Sequence, residues 1–167
     1  LATFINPANT KYEITLNYAR TIDVNIVGEV KAPGTYQIPA INSVYNAINA
    51  ANGITDIGSV RDIQVRRDGK TIKRFDVYEF LFNPLLVENF FLQKGDFIYV
   101  STQSKLIKIS GAVRRPAKYE LLKGENLNEL VTFAGGFAPD AYVKLIQVTR
   151  INNDKAQIID VNYEQIL

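Results

Sequence analysis

The chain has 167 residues, 47% apolar and 22% charged, with a formal net charge of +2, proportions ordinary for a globular protein. So small a positive surplus does not point to nucleic acid as a partner. Cys, His, Met and Trp are all absent, which removes disulfides, thiolate nucleophiles, the usual neutral-pH general base and the common nitrogen–sulfur zinc sets.

Residues 1–21 form an N-terminal segment ahead of the first clear pattern. Residues 22–30 alternate as a strand, with Val24 and Ile26 on one side and Asp23 and Asn25 on the other. Lys31-Ala32-Pro33-Gly34 predicts a type II turn, with Gly34 supplying positive φ, and Thr35–Ile38 returns as the second strand of a hairpin. A helix follows, with Ser43 as N-cap, Val44, Ala47, Ile48 and Ala51 on one face, and Gly53 as a left-handed C-cap. Val60–Arg67 and Thr71–Val77 predict a second hairpin around Asp68-Gly69. Tyr78–Phe82 predicts a short helix, then a loop around Pro84, and Lys94–Val100 a turn entering a closing strand.

Most of this order then repeats at a constant offset of 83. Gly28, Pro33, Tyr36, Gly53, Gln64 and Arg67 return as Gly111, Pro116, Tyr119, Gly136, Gln147 and Arg150. Over residues 26–67, 12 positions are identical at that offset. The helical stripe returns as Leu127, Leu130, Val131 and Ala134, and Val143–Ile151 and Ala156–Val161 predict the second hairpin's copy. Ala117 stands where Gly34 does, so the turn there is expected to be type I. Self-similarity on this scale marks one structural unit used twice. The expected fold is α+β: two tandem modules, 22–104 and 105–167, each a small mixed sheet crossed by one helix, an arrangement known as the β-grasp.

The Gly-x-Val-x-x-Pro hairpins at Gly28 and Gly111, the helices ending at Gly53 and Gly136, and Lys94-Gly95-Asp96-Phe97-Ile98-Tyr99-Val100 resemble the SLBB domain, a soluble ligand-binding β-grasp. The tandem arrangement is similar to that of bacterial outer-membrane polysaccharide export proteins. That resemblance implies a periplasmic, ring-forming part of an export machine, with polysaccharide and other subunits or copies of the chain as partners. Without His or Cys no enzymatic activity is expected, and no cofactor is expected. The alternative is a stand-alone module binding a soluble glycan or small molecule.

Arg66, Arg67, Lys73 and Arg74 crowd the second hairpin, together with Arg61 and Lys70, and Arg114 and Arg115 sit in the repeated turn. Guanidinium groups match carboxylate geometry, so these are the candidate contacts for an anionic glycan or an acidic partner. The competing expectation is a solvated hairpin in which Asp62, Asp68 and Asp76 form local ion pairs. Asp56, Asp62, Asp76, Asp96, Glu125 and Glu129 are acidic groups of the kind glycosidases use, but no spacing singles out a pair, and solvated surface carboxylates are expected. Tyr36 and Tyr119 are expected in the core with their hydroxyls on solvent or backbone, and Phe80, Phe82, Phe90, Phe91 and Phe97 under the tail of the first module or against the second.

No apolar run approaches a transmembrane helix, and a chain starting at Leu1 without Met suggests a fragment whose leader and anchor lie elsewhere. The second copy has no counterpart of Lys94–Val100. At the offset of 83 that strand maps back onto Lys11–Asn17, predicting the closing strand of an upstream unit, free to pair within the chain or to complete the second module of a neighbouring molecule.

Overall fold

The computed structural model describes residues 20–83, 90–152 and 155–166. The first module is a five-stranded sheet: β1 (Thr21–Gly28), β2 (Gly34–Pro39), β3 (Gly58–Arg67), β4 (Lys70–Phe75) and β5 (Phe97–Thr102), in the order β2-β1-β5-β3-β4. β5 lies at the centre, parallel to β1 and antiparallel to β3, so the last strand of the module joins its two hairpins. Helix α1 (Val44–Ala50) crosses one face; Ser43 caps it by accepting from the Asn46 amide, and Val44, Ala47, Ile48 and Ala51 are buried. Against them stand Val24, Ile26, Ile63, Val65, Ile98 and Val100, all at 0% exposure. Each fully buried aliphatic side chain of this kind is worth roughly 1.5–3 kcal/mol. Helix α2 (Val77–Phe82) leaves β4 with Asp76 as N-cap.

The second module repeats the parts: β6 (Lys105–Ile109), β7 (Ala117–Leu121), α3 (Leu127–Phe133), β8 (Ile146–Asn152) and β9 (Lys155–Val161), then a 3-10 turn at Tyr163–Gln165. The offset of 83 holds at the level of single bonds. Lys31 N to Gly53 O (2.9 Å) has its copy in Arg114 N to Gly136 O (3.1 Å), and Thr55 N to Glu29 O (3.0 Å) in Ala138 N to Ala112 O (2.9 Å). The bridges Val30–Ile54 and Val113–Phe137 match likewise. One difference is large. β6–β7 and β8–β9 are separate two-stranded sheets, and among the described residues no strand lies between β6 and β8.

Gly53 and Gly136 cap their helices at φ +84° and +86°, as expected. Asp68 and Gly69 both take positive φ, the type I′ signature. Gly34 does not: the hairpin's left-handed residue is Gly28 (φ +87°), copied at Gly111 (φ +90°). The expected type II turn is therefore corrected, and Ala117 costs nothing at a position that does not need glycine. Residues 84–89, around Pro84, 153–154 in the last hairpin turn, and the segment 1–19 that holds Lys11–Asn17 lie outside the described residues.

Candidate functional site

The two modules meet around the side chain of Arg61. Arg61 has the same strand parity as Ile63 and Val65, which turns it to the packed side, and it is 8% exposed. Its Nη2 lies 2.8 Å from Asp76 Oδ2, its Nε donates to the same oxygen, and its Nη1 pairs with Glu125 and donates to Glu120 O at 3.2 Å. The guanidinium also lies 4.7 Å from the ring centre of Tyr78 and 5.0 Å from that of Phe133. Beside it the Glu120 carboxylate, 2% exposed, accepts from Ser59 Oγ (2.9 Å), Val60 N (3.0 Å) and Ser104 N (3.2 Å). Phe82 stacks on Phe133 at 5.6 Å, and Arg115 lies over Phe82 while donating to Phe133 O at 3.1 Å. Groups from β3, α2 and the second module thus close one partly buried junction.

Electrostatics there favour the ion pairs. Burial alone would push Arg61 towards losing its proton and Glu125 towards keeping one. Hydrogen bonds from Arg61 to Glu125 and Asp76 outweigh that for the arginine, which is held above its ordinary range. The same Arg61 bond and the Leu122 amide hold Glu125 below the usual carboxylate range.

The sheet face opposite α1 is the second feature. Cross-strand register sets Asn25, Phe97 and Arg66 in one row and Val27, Tyr99 and Gln64 in the next. Arg66 lies 4.3 Å over the Tyr99 ring and donates to Gln64 Oε1 through Nη2 (2.8 Å) and Nε (3.2 Å). Asp62 accepts from Gln64 (2.9 Å) and Ser101 (2.9 Å) and pairs with Arg74. A shallow cleft of about 410 Å³ opens here, lined by Val27, Arg66, Asp68, Gly69, Gly95, Phe97 and Tyr99. Phe97 is 47% exposed, so its ring is open to the C–H face of a sugar. Arg66 Nη1 has no partner among the described residues.

The six basic candidates therefore part company. Arg66 and Arg74 share the open face. Arg67 turns to the packed side and clamps Asp96, itself 0% exposed, through bonds of 2.7 and 2.9 Å. Lys73 pairs opposite Val65, on the α1 side. Arg115 belongs to the junction, and Arg114 is exposed in the second module's turn. The expectation of solvated carboxylates is corrected for Asp76, Asp96 and Glu125, which are bound into structural pairs, and Glu129 closes the capping box of α3. Tyr36 and Tyr119 send their hydroxyls to Ala32 O (2.6 Å) and Arg115 O (2.9 Å), as expected. Glu120 carries no signal in the sequence beyond its place beside Leu121. Arg61 carries one: a cation on the apolar parity of a strand.

With this geometry in place, comparison with known families is direct. SLBB domain models match residues 23–100 and, in a second copy, 106–159. The chain belongs to the SLBB family. It holds two SLBB domains in tandem, and no helix among the described residues is long and apolar enough to cross a membrane.

Proposed function

We propose that the chain is a non-enzymatic periplasmic part of a polysaccharide export protein for capsule or exopolysaccharide, acting in assembly and glycan passage. Its attachment to the outer membrane runs through parts outside residues 1–167, and its partners are polysaccharide and further copies or other subunits of the machinery. The observation that carries this reading is the tandem SLBB pair locked through Arg61. A buried cation shared by acidic groups of both modules suits a building block that must hold its shape under load. The binding of Asp76, Asp96, Glu120 and Glu125 in structural bonds also supports a role without chemistry.

A second reading, a stand-alone glycan-binding module, draws on the Phe97–Tyr99–Arg66 cleft. Solution mass and titration with an acidic polysaccharide separate the two. Self-association with weak glycan affinity is the outcome expected of an assembly part. A monomer that binds glycan, loses affinity as salt rises and loses it on Arg66→Glu would favour the second reading. Arg74→Glu should matter less than Arg66→Glu, because Asp62 already neutralises Arg74.

A further inference from the structure

One element of the repeat keeps its shape and changes its charge. Residues 22–40 and 105–123 span the same hairpin at the offset of 83. The first copy holds one cation, Lys31, against two acids, Asp23 and Glu29. The second holds six cations, Lys105, Lys108, Arg114, Arg115, Lys118 and Lys123, against one acid, Glu120. The surplus of the whole chain is only +2, so the residues outside this hairpin are together net acidic. All six cations are exposed, while Glu120 is 2% exposed and engaged by Ser59, Val60 and Ser104. Arg115 donates to Phe133 O; the side chains of the other five have no hydrogen bond or ion pair to any described residue. The contrast is sharpest at one register position. Asn25 stands opposite Thr35 in the first copy, and the threonine hydroxyl donates to Asn25 Oδ1 at 2.7 Å. In the second copy Lys108 stands opposite Lys118, on the side of the ribbon away from Ile107, Ile109 and Tyr119. Two like charges directly opposite each other repel. The fold does not require them, since the first copy builds the same hairpin without them, and an anion from outside relieves them.

We propose that the β6–β7 hairpin is a binding surface for an acidic polysaccharide, one that carries carboxylate groups along its length. The choice of a glycan among polyanions rests on the export reading above. The cations run from Lys105 and Lys123 at the base of the ribbon to Arg114 at its turn, so a linear polymer meets several of them at once. Lysine ammoniums on flexible stems take a carboxylate over a range of positions, which suits a chain in transit better than a ligand held in one pose. A single-stranded nucleic acid fits less well. The hairpin's one ring, Tyr119, is half-buried and packed against Tyr78 and Phe133, so no exposed ring stands among the cations for a base to stack on. A membrane surface also fits less well, because it needs apolar side chains beside the cations to enter it. Val113 at the turn is half-buried and bridged to Phe137, which leaves Leu106 as the hairpin's one exposed large apolar side chain.

Polygalacturonate is the probe, with neutral dextran as its uncharged counterpart. The full chain should bind polygalacturonate with an affinity that falls as salt rises, and should not bind dextran. Lys108→Asn and Lys118→Thr together restore the pair found in the first copy. That double variant should keep its melting temperature and lose about fivefold to tenfold in affinity, the scale of two exposed ion pairs. Arg114→Gln should add a further loss, while Lys31→Gln, at the matching place in the first copy, should cause none. Unchanged affinity in the folded double variant would overturn the proposal, as would equal binding of dextran or no binding of polygalacturonate. A loss confined to Arg66→Gln would also overturn it, by placing the site on the first sheet. Preference for vesicles of anionic lipid, or for polyglutamate, would overturn it in favour of a membrane or an acidic protein. Solution mass keeps this test apart from that of the export reading. A self-associating chain indifferent to polygalacturonate retains the export reading and loses the acidic-glycan surface. A monomer that binds polygalacturonate, and binds it less well as the double variant, does the reverse.

Discussion

The same residues behave differently in the two modules. Ile63 and Val65 have no exposed surface, whereas Ile146 and Val148, at the same repeat positions, remain half-buried. Ile26 is sealed and Ile109 is not. Strand parity is shared, and so is the clasp between hairpin and helix end. What differs, among the described residues, is the strand between the hairpins. Burial here is a property of the closed sheet and not of the residue, and two-stranded ribbons are only marginally stable alone. The second module buries Leu121, Leu130, Val131 and Ala134 and otherwise leans on the first through Glu120, Glu125 and Phe133.

That dependence is broken most severely at the junction. Arg61→Ala leaves Asp76 and Glu125 without their shared cation, and loss of one partner from a buried pair costs about 3–5 kcal/mol. The damage should fall unequally: amide protection in the second module should collapse before that of β1, β3 and β5. Uniform loss across both modules would mean that they fold as one unit.

A glycine pair sharpens the contrast. At Gly28 two obstacles act together, a φ of +87° and a Val100 carbonyl that an added Cβ would approach to 2.2 Å. Gly28→Ala should therefore cost about 3 kcal/mol or more. Gly111 has φ +90° with nothing within 4 Å, so Gly111→Ala should cost about 1–2 kcal/mol, the backbone part alone. Equal costs by denaturant unfolding would show that the central strand is not what separates the modules. Gly53 and Gly136 are the internal control, since both have open space and nearly equal φ. Gly53→Val and Gly136→Val should each cost about 1–2 kcal/mol.

These controls also mark how far the fold is legible in the sequence. Local chemistry is readable: the helices α1 and α3 with their Gly53 and Gly136 ends and the Ser43 cap, the Asp68-Gly69 turn, and the alternation that buries Val24 and Ile26. So is the repeat, because turn and cap glycines recur wherever the backbone demands them. Positions set by non-local contacts are harder. Gly34 has the neighbours of a turn glycine, while the close approach of β5 puts the demand on Gly28. The basic cluster reads as one patch, yet a strand sends successive side chains to opposite faces, which separates Arg66 from Arg67. Asp96 reads as a surface acid because its partner is 29 residues away in sequence.

The smallest expected effect tests whether the junction is electrostatic as well as steric. Burial pushes the Glu125 carboxyl up, but the Arg61 bond and the Leu122 amide hold it below its ordinary value of 4.5. A depressed carboxylate contributes stability that is fully present above the unfolded-state value and is lost as pH falls through the folded one. Stability should therefore be flat above about pH 5 and decline below it as Glu125 takes up a proton. Asp62, also held low by Gln64, Ser101 and Arg74 against its burial, contributes in the same direction. Its pair with Arg74 is more exposed, so added salt should shrink that part first. Glu125→Gln should lower stability near neutral pH and converge with the natural chain once pH falls below the folded-state value of Glu125, flattening the acid limb. Parallel pH curves for the two proteins would show that the Arg61–Glu125 contact contributes packing and no charge, and the second module's dependence on the first would then rest on Phe133 and Glu120.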